Sequence, residues 1–169
     1  MANLKLIAFD ADDLVVISAQ LQDAILHVSN IAYLPSERRL AAVGNRFDWV
    51  DALKDVKGEP EYVRRQTALR FERVLDAKVQ GIDLQRKDTV LSLLTIAFEP
   101  DGGPDSPGGH VTLNFAEGAM IRLQVECIEA GLKDLGPAWS VKSMPRHPDD
   151  NAAPARETTA TTMTVGGKQ

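Results

Sequence analysis

Thr67-Ala68-Leu69-Arg70-Phe71-Glu72-Arg73-Val74-Leu75-Asp76-Ala77-Lys78-Val79-Gln80-Gly81 is the stretch on which the fold turns. Leu69, Phe71, Leu75, Ala77 and Val79 alternate with Arg70, Glu72, Asp76, Lys78 and Gln80. Strand side chains point to opposite faces in turn, so this pattern predicts antiparallel sheet with one face buried and one wet. A helix over 61–75 is the competitor, but period 2 accounts for more positions. Arg73 falls on the apolar parity, which predicts a bulge or bend there.

The same alternation returns downstream. Val111, Leu113 and Phe115 alternate with Thr112 and Asn114, then Ile121, Leu123 and Val125 with Arg122, Gln124 and Glu126. A loop Ala116-Glu117-Gly118, with Gly118 in the left-handed position, sets Leu113 opposite Ile121 and Val111 opposite Leu123. A Glu117-Gly118 loop would instead set Leu113 against Arg122. Val90–Phe98 is apolar on both parities, as in a central strand buried on both faces. The proline- and glycine-rich run 100–109 reads as a loop.

Toward the N-terminus, Leu4–Phe9 reads as a short strand and Asp10 as an N-cap, with Asp12 and Asp13 suited to the first turn of a helix. Leu14, Ile17, Leu21, Ala24, Ile25 and Val28 recur at helical spacing and predict a helix over about 11–26. Ile31–Leu34 and Leu40–Val43 read as strands joined by the turn Pro35-Ser36-Glu37-Arg38. The charged stretch 51–61 reads as an exposed connection. Ile128, Leu132 and Leu135, closed by Gly136 and Pro137, predict a short C-terminal helix. Residues 1–141 thus form one domain and 142–169, with almost nothing to bury, a disordered tail.

The expected fold is α+β: a mostly antiparallel, strongly bent or barrel-like sheet with an N-terminal helix and a short C-terminal helix. Bent strands followed by a terminal helix suggest a pleckstrin-homology-like architecture, an analogy that carries no ligand. An open sheet with both helices on one face is the alternative.

Composition bounds the function. With 169 residues, 44% hydrophobic and 25% charged, the chain can bury a proper core. Its net charge of -5 argues against a nucleic-acid partner. One cysteine permits no internal disulfide, no paired Cys/His zinc signature is present, and no apolar run is long enough to span a membrane. The opening residues are interrupted by acid too soon for a signal peptide, so a cytoplasmic location is expected.

Leu4–Leu14, Tyr33-Leu34-Pro35 with Glu37-Arg38-Arg39, Asn45-Arg46-Phe47-Asp48-Trp49, and Gln124–Ala130 with Asp134-Leu135-Gly136-Pro137-Ala138-Trp139 together resemble a family of small bacterial proteins catalogued only as a domain of unknown function. The resemblance covers about 1–140 and implies one folded unit; it brings no activity and no functional residues.

Candidate chemistry is sparse. His27, His110 and His147 have no second ligand at metal-binding spacing, and Cys127, flanked by Glu126 and Glu129, reads as a core residue. There is no nucleophile elbow and no phosphate-binding glycine loop, and no cofactor or metal is expected. The remaining candidate is Asn45-Arg46-Phe47-Asp48-Trp49 with Arg38, Arg39, Arg64, Arg65, Arg70 and Arg73, arginines largely offset by neighbouring acids such as Glu37, Asp48 and Glu72. Arginine and tryptophan are enriched at interface hot spots. The structural alternative sends Phe47 and Trp49 into the core and Arg46 and Asp48 to water. These observations point to a non-enzymatic module that holds a protein or small-molecule partner through an exposed strand edge or the Arg46–Trp49 region. A small-molecule-binding protein or enzyme with a pocket at the barrel mouth is the alternative, and a homodimer pairing its edge strands is a third reading.

Overall fold

The computed structural model describes residues 3–48, 62–136, 139–141 and 161–162. The chain runs β1 (Lys5–Ala8), α1 (Ala11–Gln20), β2 (Ile25–Leu34), β3 (Arg39–Phe47), β4 (Tyr62–Phe71), β5 (Val74–Gln80), β6 (Val90–Pro100), β7 (Gly109–Phe115), β8 (Met120–Val125) and β9 (Ala130–Asp134), with the short β10 (Trp139–Val141) and β11 (Thr161–Thr162). All pairings are antiparallel, in the order β1-β9-β4-β3-β2-β6-β7-β8-β5-β11, with β10 on β4 beyond the end of β9.

The sheet curls because two long stretches turn a corner together. β4 passes into β5 through Glu72 and Arg73, where Arg73 takes φ 59, and β8 passes into β9 through 126–129. The Glu72 N–H donates to the Glu129 carbonyl at 2.8 Å and the Glu126 N–H to the Arg73 carbonyl at 3.0 Å, so the two corners are stitched to each other. The bend expected at Arg73 is therefore present. It changes which side chain is inside: Val74 is buried and Leu75 is 44% exposed, the reverse of strict alternation.

The inner face carries one continuous core, including Leu40, Leu69, Phe71, Leu93, Leu113, Ile121 and Leu123. The last hairpin has the expected register, Leu113 opposite Ile121 and Val111 opposite Leu123, with the Phe115 N–H donating to the Ala119 carbonyl at 2.8 Å. β6 is central, joining β2 to β7. Its two apolar parities come from a register shift between Leu93 and Thr95 rather than from burial on both faces. Leu91, Leu93 and Ile96 are buried while Thr95 and Ala97 are exposed.

α1 begins as the sequence predicts, with the Asp10 carboxylate accepting from the Asp13 N–H at 2.8 Å. It ends at Gln20, short of the expected 26. Asp23 takes φ 62, its N–H donates to the Leu93 carbonyl, and the Ala24 carbonyl accepts from the Leu93 N–H, so the chain has already joined the sheet. Leu14 and Ile17 seat the helix on the core. Beyond Ser92, β6 no longer pairs with β2, and α1 takes that side: the Ile96 N–H donates to Ser18 Oγ at 2.9 Å.

The expected C-terminal helix is β9. Ile128, Ala130, Leu132 and Asp134 are buried while Lys133 is exposed and Leu135 is 47% exposed, which is strand parity. The backbone pairs with β4 on one side and β1 on the other. Ladder bonds to two neighbouring strands outweigh a weak local helical pattern. Within the segment assigned to the tail, Thr161–Thr162 pairs with Val79 and Lys78 of β5. Residues 142–160 and 163–169, the connection 51–61 and Trp49 lie outside the described residues. No helix among the described residues is long and apolar enough to cross a membrane.

Candidate functional site

At one end of the curled sheet the inner face turns from apolar to ionic. Along β3, β4 and β9 the facing pairs run Leu40–Phe71, Ala42–Leu69 and Leu69–Leu132, then Thr67–Asp134 and Arg46–Arg65. Arg46 and Asp48 share the parity of Leu40, so they point inward. Two arginines opposed on a buried face require counter-charges. Arg46 Nε donates to Asp134 Oδ1 and Nη2 to Oδ2, both at 2.8 Å. Arg65 Nε donates to Asp48 Oδ2 at 2.7 Å, and Arg46 Nη2 lies 4.0 Å from the same oxygen. The Leu4 N–H donates to Asp134 Oδ2 at 2.7 Å, tying the start of β1 to the cluster. All four side chains are at least nine-tenths buried.

Burial is the largest influence on Asp134 and pushes its carboxyl pKa up. The Arg46 hydrogen bonds, the Leu4 N–H and the Arg46 charge together outweigh burial, and the group titrates below its ordinary value. Arg64, on the other face of β4, lies over the Phe47 ring at 6.0 Å and reaches the Asn45 carbonyl at 3.4 Å. Desolvation lowers its pKa against the pull of Asp23.

Arg46 and Asp48, singled out by the sequence, are thus brought together, 3% and 6% exposed. The expected alternation is corrected: Phe47 is buried, and Arg46 and Asp48 are buried too, because their partners arrive from β4 and β9. Arg38 and Arg39 lie elsewhere. Arg38 donates to Glu126 at 2.7 Å, and Arg39 to Glu72 at 2.7 Å and Glu37 at 3.3 Å. Sequence reasoning missed the ionic role of Asp134, and it set Arg65 on a solvated mixed-charge face, whereas Arg65 is buried against Asp48. Asp134 shares parity with Leu132 and Arg65 with Leu69, a signal hidden where 128–135 reads as helix and the strand is begun at 67. Chemically, the cluster is a matched set of two cations and two carboxylates that locks β1, β3, β4 and β9 together.

A second site lies where β1 runs into α1. A cleft of about 310 Å³ is lined by Phe9, Asp10, Ala11 and Asp12, by Phe98 and the loop 104–107, and by Cys127 and Ile128 from the corner before β9. Phe9 is 65% exposed beside it. The Asp10 carboxylate is committed to the helix cap, whereas the carboxylates of Asp12 and Asp105 have no hydrogen-bond or ion partner among the described residues. The lining carries three carboxylates and no basic side chain. Cys127 is half-buried at its wall rather than in the core.

His110 lies 3.3 Å from Asp101 on a different surface. Among the described residues no group of three or more His, Cys, Asp or Glu side chains is placed to hold a metal ion. No curated protein and no solved structure matches the chain. A family model does match, over residues 4–147, and the chain belongs to that family, described as a protein of unknown function (DUF2948).

Proposed function

We propose that this chain is a non-enzymatic binding module whose cleft between Phe9–Asp12, the 104–107 loop and Cys127–Ile128 holds a cationic group carried on an apolar body. The observation that carries this reading is the lining: Phe9, Phe98, Pro107 and Ile128 offer apolar surface, and Asp12 and Asp105 offer negative charge without a counter-ion among the described residues. Ligand clefts are mostly apolar with a few placed polar groups, and about 310 Å³ is enough for a small organic cation. The reading rests on the cleft rather than on Arg38, Arg39, Arg46 and Asp48, whose charges are matched within the chain. The curl of the sheet supports a barrel-like architecture. The pleckstrin-homology analogy, built on a closing helix, draws no support from a segment that forms β9.

The test is calorimetric titration of the full chain with phenethylammonium and with its neutral alcohol isostere. The amine binds and the alcohol does not. Asp12→Asn and Asp105→Asn each weaken binding by about tenfold, the scale of a hydrogen bond to a charged group. Phe9→Ala weakens it with an unchanged Tm. Equal binding of the alcohol, or no binding of either, overturns the reading.

A further inference from the structure

β1 is an edge strand, paired with β9 and with no other described strand. The Asp134 N–H donates to the Leu4 carbonyl at 2.9 Å, and the ladder pairs Lys5 with Lys133, Leu6 with Leu132 and Ile7 with Gly131. In an antiparallel ladder the residues bonded to the partner alternate with residues whose N–H and C=O point away. Leu4, Leu6 and Ala8 therefore bond to β9, and the backbone groups of Lys5 and Ile7 face the open edge.

The side chains beside that edge are cationic and apolar. Lys5 and Lys133 are direct cross-strand neighbours on the outer face, and neither has an ion pair with a described residue. Ile7, next along β1, is 49% exposed. On the outer face of β1, β9 and β4 no carboxylate stands; Arg70, opposite Gly131, reaches Glu72 at the corner. Like charges placed directly opposite oppose sheet formation.

A lysine on an edge strand also guards against self-pairing. That accounts for Lys5 but not for Lys133, which lies one strand in and guards no edge. We infer that the outer edge of β1 is a docking edge for an extended acidic segment of a partner protein. The segment adds as a strand to the Lys5 and Ile7 backbone and sets its carboxylates over Lys5 and Lys133. Strand addition takes affinity from main-chain bonds and specificity from alternate side chains. A second copy is the poorer occupant, because a two-fold pairing of β1 with itself would gather four lysines on one face.

The test uses the full chain and a short, capped, fluorescently labelled peptide alternating glutamate and valine, with a lysine–valine peptide as control. Anisotropy shows the glutamate peptide binding and the lysine peptide not, and binding weakens as salt rises. Lys5→Glu and Lys133→Glu each reduce affinity by about tenfold or more. Ile7→Pro removes a donor that faces only the open edge, where proline is tolerated, so it abolishes peptide binding with Tm nearly unchanged. Binding that survives Ile7→Pro, equal binding of the lysine peptide, or no binding of the glutamate peptide overturns the inference. So does a concentration-dependent dimer that Ile7→Pro dissociates, because the edge then belongs to a second copy.

Discussion

Arg46 and Asp134, 88 residues apart in the chain, face each other through two parallel hydrogen bonds of 2.8 Å inside the sheet. The pair joins β3 to β9 across β4. Through the Leu4 N–H on Asp134 it also fastens the start of β1, the strand that leads into the cleft.

Removing one partner leaves a buried charge unpaired. Arg46→Leu or Asp134→Leu should each cost about 3–5 kcal/mol. The double variant should recover much of that loss, since a matched apolar pair leaves neither charge stranded. Urea unfolding of the two single variants and the double variant gives the coupling energy, and additive losses would contradict a mutual pair.

The depressed pKa of Asp134 fixes the sign of a pH effect. The unfolded chain holds this proton more tightly than the folded chain, so stability rises with pH wherever the two differ. The contribution is complete above the ordinary aspartate value of about 4. It is lost as pH falls through the lower folded value. Unfolding free energy measured down the acid limb should fall more steeply in the wild type than in Asp134→Asn.

Gly44 sits opposite Leu26, where β2 crosses closely. A Cβ there would lie 2.7 Å from the Ile25 carbonyl oxygen and 2.9 Å from Leu26 Cγ. Backbone on one side and a buried side chain on the other leave no room to yield. Gly44→Ala should destabilise by about 1–3 kcal/mol, the usual cost of overpacking, seen as a lower denaturation midpoint at unchanged m-value.

Deleting 142–169 removes the two-residue pairing of β11 with β5 and leaves β1 to β10 in place. Calorimetry should show a Tm lowered by no more than a few degrees. A larger drop would mean that the C-terminal segment packs on the domain beyond this two-residue pairing.

By itself the sequence determined what depends on near neighbours. The Asp10 cap, the left-handed turn at Gly118, the bend at Arg73 and the register of β7 on β8 follow from turn chemistry and from the two-residue repeat. Alternation also declares a half-buried strand wherever it is unbroken. Tertiary structure decided the rest. Ile128, Leu132 and Leu135 fit a helical stripe, and Ile128, Ala130 and Leu132 fit a strand face equally well; only ladder bonds to β4 and β1 choose between them. Arg46 and Asp48 read as water-facing until Arg65 and Asp134 arrive to neutralise them, because burying a charge depends on a partner that no local window contains. The cleft likewise draws its walls from 9–12, from Phe98 with 104–107, and from 127–128, segments that meet only when the sheet curls.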